Sequence, residues 1–285
     1  MPPLSDIPLP DIALIGFGEA GSRFARAGGW HGQGQARARG WDLLPERRAL
    51  MAECGVDAAT DAAGALQGAE IVLSLVTADA ALEAARAGAP LLAKGALWCD
   101  MNSVAPDTKR EAARAVEAAG GAYVDVAVMA PVGEELHVPL LLSGPHAERA
   151  RTLLSRLGFT DIRIAGDAIG RASSIKMIRS VMVKGLEALS SECAAAADAA
   201  GVFDEVMASL DASEKTIPWA DRVAYNRERM ETHGARRAAE MEESAKTLLG
   251  LGVEPVMTSG TVRLQREAPV KARPVKASKE GNKSA

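Results

Sequence analysis

Short apolar runs alternate with alanine-rich stretches along the chain up to about residue 165. The runs lie at residues 12–15, 71–76, 97–100, 123–128, 140–142 and 162–164. Each is almost uniformly apolar, as a strand buried on both faces of a sheet should be. A helix is predicted over 106–119, because it would begin at Pro106 and stop before two glycines. This alternation predicts an α/β fold, in which a parallel sheet is covered by helices.

The pattern changes after Gly170, where apolar residues recur at steps of three and four. This spacing predicts one long helix, and further helical patterns follow at 202–210, 219–233, 235–249 and 258–267. We therefore expect an α/β domain over 1–168 and an all-helical domain over 169–267. Residues 268–285 are polar, basic and without periodicity, which predicts a disordered tail.

Composition and charge exclude several classes of function. The 285 residues carry a formal net charge of −4, which provides no overall attraction to nucleic acid. No apolar run approaches the roughly 18 residues needed to cross a bilayer, and the N-terminus lacks the basic start of a signal peptide. We expect a cytoplasmic protein without a membrane partner. Three scattered cysteines and four scattered histidines predict neither a disulfide framework nor a metal site.

The first apolar run leads directly into Gly16, Gly18 and Gly21, which form the pattern G-x-G-x-x-G. In a strand–turn–helix unit the first glycine permits a tight turn, the second lets the backbone approach a pyrophosphate, and the third allows close packing of helix on strand. The amino end of the helix then points at the phosphates. The alternative is an ordinary glycine turn, but the strand and helix around it favour a Rossmann-type dinucleotide-binding domain.

Asp42 is the candidate for binding the cofactor's ribose, because it ends the expected second strand about 20 residues past the glycines. Its carboxylate would accept hydrogen bonds from both ribose hydroxyls and repel a 2′-phosphate, which favours NAD. The alternative is NADP, with Arg47 or Arg48 binding the 2′-phosphate. Backbone contacts at Val76 and Thr77 are also expected, because cofactors lie across the carboxyl ends of such strands.

Three later segments carry polar residues in a distinctive order. They are DMNSVAPDT from Asp100, YVDVAVMAPVG from Tyr123 and GRASSIKMIRS from Gly170. Together with the glycine turn, they resemble the β-hydroxyacid dehydrogenase family, which includes 3-hydroxyisobutyrate and 6-phosphogluconate dehydrogenases, and the resemblance extends to about residue 265. It implies an NAD(P)-dependent oxidoreductase that pairs as a homodimer through its helical domain.

In the first segment, the resemblance implies that Asn102 and Ser103 present polar side chains to a substrate carboxylate. Ser103 has an alternative role, because it could cap the helix predicted to begin at Pro106. The two roles are compatible with each other.

In the second segment, Met129, Ala130 and Pro131 replace a serine and two glycines that hold a small substrate in the family. The replacement substitutes an apolar wall for polar groups, and proline has no amide hydrogen to donate. We therefore expect a substrate that is bulkier or more apolar than 3-hydroxyisobutyrate, with Met129 in contact with it. Met129 could equally be a core residue, which is the commoner role of methionine.

In the third segment, Lys176 matches the family's catalytic lysine, and Ser180 stands where the family has a substrate-binding asparagine. The lysine would take or give the proton when hydride transfer interconverts the substrate's hydroxyl and carbonyl. Because a free lysine has a pKa of about 10.4, a catalytic one needs desolvation or positive charge, which Arg171 and Arg179 could supply. A lone lysine on a helix is otherwise only a solvated charge.

His233 takes the place of another family lysine, in the segment ETHGARRAAEME. It would close the site over the nicotinamide or the substrate. The alternative is structural, because a histidine directly before Gly234 could end a helix as a C-terminal cap.

We therefore expect an enzyme that transfers hydride between a nicotinamide and the hydroxyl or ketone carbon of a hydroxy-acid-like substrate. Two other functions are compatible with the same sequence features. An imine reductase would share the architecture but usually lacks the lysine, and a redox sensor would bind NAD without turnover. Turnover that depends on Lys176 would separate these three functions.

Overall fold

The computed structural model describes residues 10–30, 38–133, 135–214 and 216–268. The tail expected at 268–285 lies outside the described residues, apart from Ala268. The strands of the described residues are β1 (Ile12–Ile15), β2 (Ala38–Trp41), β3 (Asp57–Ala58), β4 (Ile71–Ser74), β5 (Leu97–Asp100), β6 (Ala122–Val128), β7 (Leu140–Ser143) and β8 (Ile162–Gly166). They form one sheet in the order β3-β2-β1-β4-β5-β6-β7-β8. Neighbouring strands are parallel except for β6 and β7.

Helices follow most of the strands and fill the C-terminal part of the chain. They are α1 (Glu19–Gly28), α2 (Pro45–Glu53), α3 (Ala62–Leu66), α4 (Ala81–Gly88), α5 (Pro106–Ala118), α6 (Ala147–Arg156), α7 (Arg171–Ala200), α8 (Phe203–Ser213), α9 (Trp219–Gly250) and α10 (Val256–Glu267). The expected architecture, a Rossmann-type α/β part followed by an all-helical part, is confirmed.

The sheet has a hydrophobic cluster on each of its two faces, which explains why its central strands are almost uniformly apolar. In β1, Ile12 and Leu14 pack in one hydrophobic cluster, whereas Ala13 and Ile15 pack in another. Successive side chains of a strand point to opposite faces, so a strand between two cores must be apolar at every position. The edge strand β3 has no such run, because both of its residues are exposed.

The chain divides into two compact units, Met1–Val181 and Met182–Ala285, and the division falls within α7. The first unit holds the whole sheet. In the second unit α9 packs against α10, and its few buried residues include Ala197, Ala238 and Thr258. No helix in the described part of the chain combines the length and apolar character required to cross a membrane.

The expected break between two helices at Gly234 is wrong, because α9 runs without interruption from Trp219 to Gly250. A Cβ atom added to Gly234 would lie 2.3 Å from the backbone oxygen of Gln265 in α10. The glycine therefore permits close contact between two helices, although it lowers helix propensity by about 1 kcal/mol relative to alanine. His233 consequently lies inside a helix, so it is not a C-terminal cap.

Candidate active site

A crevice of about 320 Å³ opens at the carboxyl ends of the central strands in the first unit. Its walls come mainly from the residues that follow β4 and β5, from the end of β6 and the residues after it, and from α7. The described residues that line it are mostly apolar, and the polar ones are Asn102, Ser103 and Lys176. Ligands of α/β proteins bind at this edge of the sheet, and the volume lies in the range of small-molecule sites.

The glycine turn has the geometry expected of a pyrophosphate site. Gly16 adopts a φ of 87°, and a Cβ there would lie 2.7 Å from the backbone oxygen of Leu75. A Cβ on Gly21 would lie 3.1 Å from the oxygen of Gly16, whereas a Cβ on Gly18 would meet nothing within 4 Å. Gly18 thus faces open space at the amino end of α1, where a helix attracts phosphate. These residues fit a dinucleotide.

Asp42 directly follows β2, and its carboxylate is fixed beside the glycine turn. The backbone N–H of Phe17 donates to Asp42 Oδ2 at 2.7 Å, and that of Leu44 donates to Oδ1 at 2.9 Å. Arg48 donates from Nη1 to the backbone oxygen of Asp42 at 2.9 Å. The carboxylate is therefore held in place at the end of β2, where a ribose would bind.

The residues after β4 extend this edge of the crevice. Val76 lines the crevice, whereas Thr77 is exposed. The hydroxyl of Thr77 hydrogen-bonds to Asp79 and lowers the pKa of that carboxyl group. Thr77 therefore stabilises the turn that follows the strand.

Lys176 and Ser103 meet in the crevice although they are 73 positions apart in the sequence. Lys176 lies in the second turn of α7, and its Nζ donates to Ser103 Oγ at 2.6 Å. Both residues line the crevice, and Lys176 is half-buried. The ammonium group is therefore placed to exchange a proton with a ligand that enters beside Ser103.

Asn102 lines the crevice, but its amide hydrogens are donated to other residues of the protein. Its Nδ2 donates to Asp100 Oδ1 at 2.8 Å and to Ser74 Oγ at 3.0 Å, and its Oδ1 has no hydrogen-bond partner among the described residues. The carboxylate of Asp100 fixes this orientation, because a carboxylate accepts from an amide NH₂ and repels an amide oxygen. Since both NH₂ hydrogens have acceptors in the protein, the side chain has none left for a substrate carboxylate.

The other predicted substrate residues lie outside the lining of the crevice. Met129 is half-buried at the end of β6, and its neighbours Val128 and Ala130 line the crevice instead. Ser180 is half-buried one turn beyond Lys176. His233 is exposed in the second unit.

Sequence reasoning missed a buried ion cluster that adjoins the crevice through Asn102. Lys109 Nζ donates to Asp100 Oδ1 at 3.0 Å and lies 3.5 Å from Asp125 Oδ1, and the three side chains are at most 1% exposed. The hydroxyl of Tyr123 donates to Asp100 Oδ2 at 2.7 Å. Burial and the charge of Asp100 raise the pKa of Tyr123, which keeps its hydroxyl protonated as a donor.

One sequence signal could have found this cluster. Asp100 and Asp125 are the carboxylates in two strands that are otherwise buried and mostly apolar. A buried carboxylate needs a cation or several hydrogen-bond donors, because its desolvation is otherwise too costly. The sequence did not indicate that Lys109 is the cation, since lysines on helices are usually exposed.

Residues 11–158 match the family described as the NAD binding domain of 6-phosphogluconate dehydrogenase. The chain belongs to this family. Residues 197–268 match a second family, which is a domain of unknown function. The glycine turn, the crevice and the ion cluster of Lys109 thus lie in or beside the NAD-binding domain.

The chain is similar in sequence to a dehydrogenase and to a conserved hypothetical protein. The chain is 31% identical to 3-hydroxyisobutyrate dehydrogenase of Pseudomonas aeruginosa over 192 residues, which cover 62% of each chain. It is 39% identical to the crystal structure of a conserved hypothetical protein from Sinorhizobium meliloti, with 90% of this chain and 87% of that chain covered and a TM-score of 0.60.

Imine reductases share the fold at lower identity. The imine reductase of Myxococcus stipitatus in complex with NADP⁺ is 20% identical to this chain, with a TM-score of 0.73. The match covers 91% of this chain and 94% of that enzyme's chain. A variant of that enzyme has been solved with NAD⁺. This likeness concerns the fold alone, which is that of an NAD(P)-binding hydroxyacid dehydrogenase-like protein with imine reductases among its structural neighbours.

Proposed function

We propose that the protein is a nicotinamide-dependent dehydrogenase or reductase, which transfers hydride between its cofactor and the hydroxyl or ketone carbon of a hydroxy-acid-like substrate. The position of Lys176 carries this proposal. Lys176 lines the crevice, and its Nζ is 2.6 Å from Ser103 Oγ, at the sheet edge that also holds the glycine turn. A proton donor or acceptor within hydrogen-bond reach of the ligand is what alcohol and ketone interconversion requires.

Lys176 exchanges the proton with the substrate, and Ser103 orients the Lys176 ammonium. A bound nicotinamide would accept or supply the hydride. In the oxidative direction, neutral Lys176 accepts the proton of the substrate hydroxyl, and in the reductive direction its ammonium returns that proton to the carbonyl oxygen. Ser103 accepts a hydrogen bond from Nζ and so orients it.

We infer that the cofactor is NAD. Asp42 supports this inference, because its carboxylate is fixed by the amides of Phe17 and Leu44 at the end of β2. A 2′-phosphate placed there would face a like charge that cannot turn away. NAD should therefore bind at least about tenfold more tightly than NADP.

The substrate should be more apolar than 3-hydroxyisobutyrate. Ala130, Pro131 and Val132 form one wall of the crevice. The amide hydrogens of Asn102 are already donated within the protein. A substrate carboxylate would thus be left with Ser103 and Lys176 as side-chain donors among the described lining residues, whereas an aliphatic or aromatic group would bury its surface against the wall.

An imine reductase is the second candidate, and the apolar crevice favours it. Lys176 separates the two functions, because an imine takes its proton on nitrogen and the related reductases usually lack this lysine. A reductase acting on imines would therefore retain its rate without Lys176. A protein that binds NAD as a sensor would show no turnover with any substrate.

The test is to measure turnover with hydroxy acids, ketones and cyclic imines, using the absorbance of reduced nicotinamide with NAD and NADP. For Lys176→Ala we expect kcat for hydroxy acids or ketones to fall by about 10² to 10⁴-fold, because the proton transfer is lost. The Kd of NADH should be unchanged. Lys94→Ala, which removes an exposed lysine of the first unit, is the control and should retain full activity. Equal turnover of hydroxy acids or ketones in wild type and Lys176→Ala would disprove the catalytic role.

A further inference from the structure

Three buried polar side chains lie side by side across neighbouring strands next to the crevice. Asp100 of β5 pairs in register with Asp125 of β6, and Asp125 pairs with Ser143 of β7. All three are at most 1% exposed. Lys109 of α5 connects the first two, since its Nζ is 3.0 Å from Asp100 Oδ1 and 3.5 Å from Asp125 Oδ1.

Asp125 and Ser143 bind the amino end of α7, the helix that carries Lys176. The backbone N–H of Ser173 donates to Asp125 Oδ2 at 3.0 Å, and the backbone N–H of Ala172 donates to Ser143 Oγ at 3.0 Å. Ser143 in turn donates from Oγ to Asp125 Oδ2 at 3.0 Å. These groups take two helix amides that have no partner within the helix. The first turn of α7 is therefore fastened to the sheet one turn before Lys176.

Asp100 fixes the other half of the Lys176–Ser103 pair. Its Oδ1 accepts hydrogen bonds from the backbone N–H of Asn102 at 3.0 Å and from Asn102 Nδ2 at 2.8 Å. The loop that carries Ser103 is thereby tied to the end of β5. Lys109 thus joins the anchor of the loop to the anchor of the helix.

Stability alone is a poor explanation for this arrangement. Burying two carboxylates and an ammonium carries a large desolvation cost, and well-packed apolar residues often stabilise a core equally well. The charged atoms also make directional bonds to the loop of Ser103 and to α7, which apolar side chains could not provide. A displacement of about 1 Å at a reacting group can cost about a hundredfold in rate.

We propose that Asp125, Ser143 and Lys109 are positioning residues, which hold the Lys176 ammonium against Ser103 although none of the three lines the crevice. The proposal rests on the proton-transfer role proposed for Lys176. It predicts that weakening the link between Asp125 and α7 lowers kcat while the affinity for NADH stays the same.

Ser143→Ala is the main test variant, because it removes the link between the Ala172 amide and Asp125 and leaves every charge in place. We expect kcat to fall about tenfold and the Kd of NADH to stay constant. Asp125→Asn should lower kcat by about a hundredfold. Ser143→Thr, which retains the hydroxyl, should restore the rate. Thr258→Ala deletes a buried hydroxyl that also bonds a carboxylate at a helix start, so it controls for lost stability.

A second measurement reports on Lys176 without turnover. In this experiment the folded protein is treated with a small amount of an acetylating reagent. Peptide mass spectrometry then measures how much Lys176 is acetylated relative to the exposed Lys94. The bond to Ser103 slows the reaction of Lys176, so this ratio should rise severalfold in Ser143→Ala. Ser173→Ala, which loses one hydroxyl bond to Asp125, should raise it as well.

The outcomes separate this proposal from the proposed function. An unchanged labelling ratio in both Ser143→Ala and Ser173→Ala would overturn the positioning role, whatever the activity shows. A kcat that falls equally in Ser143→Ala and Ser143→Thr would overturn it too. In a Lys176→Ala background, Ser143→Ala should cause little further loss, because it acts through Lys176. If the wild-type protein showed no turnover with any substrate, the proposed function would be disproved. The labelling ratio of Lys176 would then still test the positioning role of Ser143.

Discussion

Two of the described helices, α7 and α10, donate amides at their amino ends to a carboxylate, but the two carboxylates differ in burial. The amino end of α7 donates the backbone N–H of Ser173 to Asp125, which is completely buried and lies 3.5 Å from the Lys109 ammonium. The amino end of α10 donates the backbone N–H groups of Met257 and Thr258, at 2.7 Å and 2.9 Å, to Glu192, which is half-buried. Both carboxylates stabilise the positive end of a helix dipole.

The difference between Asp125 and Glu192 shows that a buried carboxylate at a helix amino end needs more partners than a half-buried one. Water still solvates a half-buried carboxylate, so Glu192 is satisfied by the helix amides and the hydroxyl of Thr258. A fully buried carboxylate loses that solvation and needs a cation or further donors. Asp125 accordingly lies beside the Lys109 ammonium and accepts hydrogen bonds from the hydroxyls of Ser143 and Ser173.

The largest expected effect on this comparison comes from Lys109→Met. The substitution leaves Asp100 and Asp125 buried without their cation, so the free energy of unfolding should fall by about 3 to 5 kcal/mol in urea denaturation. Adding Asp125→Asn to the same chain should recover part of the loss, because one unpaired charge is removed. Strict additivity of the two losses would show that the ion pair does not stabilise the first unit.

Glu192→Gln should have a smaller effect, of about 1 to 2 kcal/mol, on the attachment of α10. Hydrogen bonds from Thr258 and Met257 outweigh the opposing effect of burial and hold the pKa of Glu192 below its usual value. Because the folded pKa is the lower one, the stabilisation by Glu192 is present at neutral pH and is lost as the pH falls through the folded pKa.

Hydrogen exchange of the Met257 and Thr258 amides measures the Glu192 effect locally. Exchange should be faster in Glu192→Gln than in wild type at neutral pH. The two proteins should converge in acid, where the wild-type carboxyl is protonated. A difference that persists in strong acid would contradict the electrostatic account.

Thr258→Ala should have the smallest effect, with about 1 kcal/mol lost from the second unit. It removes the hydroxyl bond to Glu192 Oε1 but leaves both helix amides paired with the carboxylate. Thermal unfolding followed by circular dichroism would measure it. A loss as large as that of Lys109→Met would mean that the half-buried helix start is as critical as the buried one.

The sequence predicted most of the sheet and much of the crevice lining. β1 and β5 begin and end where the apolar runs do, because a strand between two cores must be apolar along its length. The short edge strand β3 could not be predicted, since both of its residues are exposed. The sequence predicted Asn102 as a site residue. It could not predict which way the side-chain amide is oriented, because that depends on hydrogen bonds to Asp100 and Ser74.

By itself, the sequence determined the α/β architecture, the glycine turn and the helix that carries Lys176, because apolar periodicity and glycine spacing are local properties of the chain. Only the tertiary structure decided that Lys176 meets Ser103, that Lys109 is buried between two carboxylates, and that α9 continues through Gly234. Each of these depends on a partner distant in the sequence. Buried polar groups and closely packed backbones must be satisfied in space, and local patterns carry no information about which distant residue will do so.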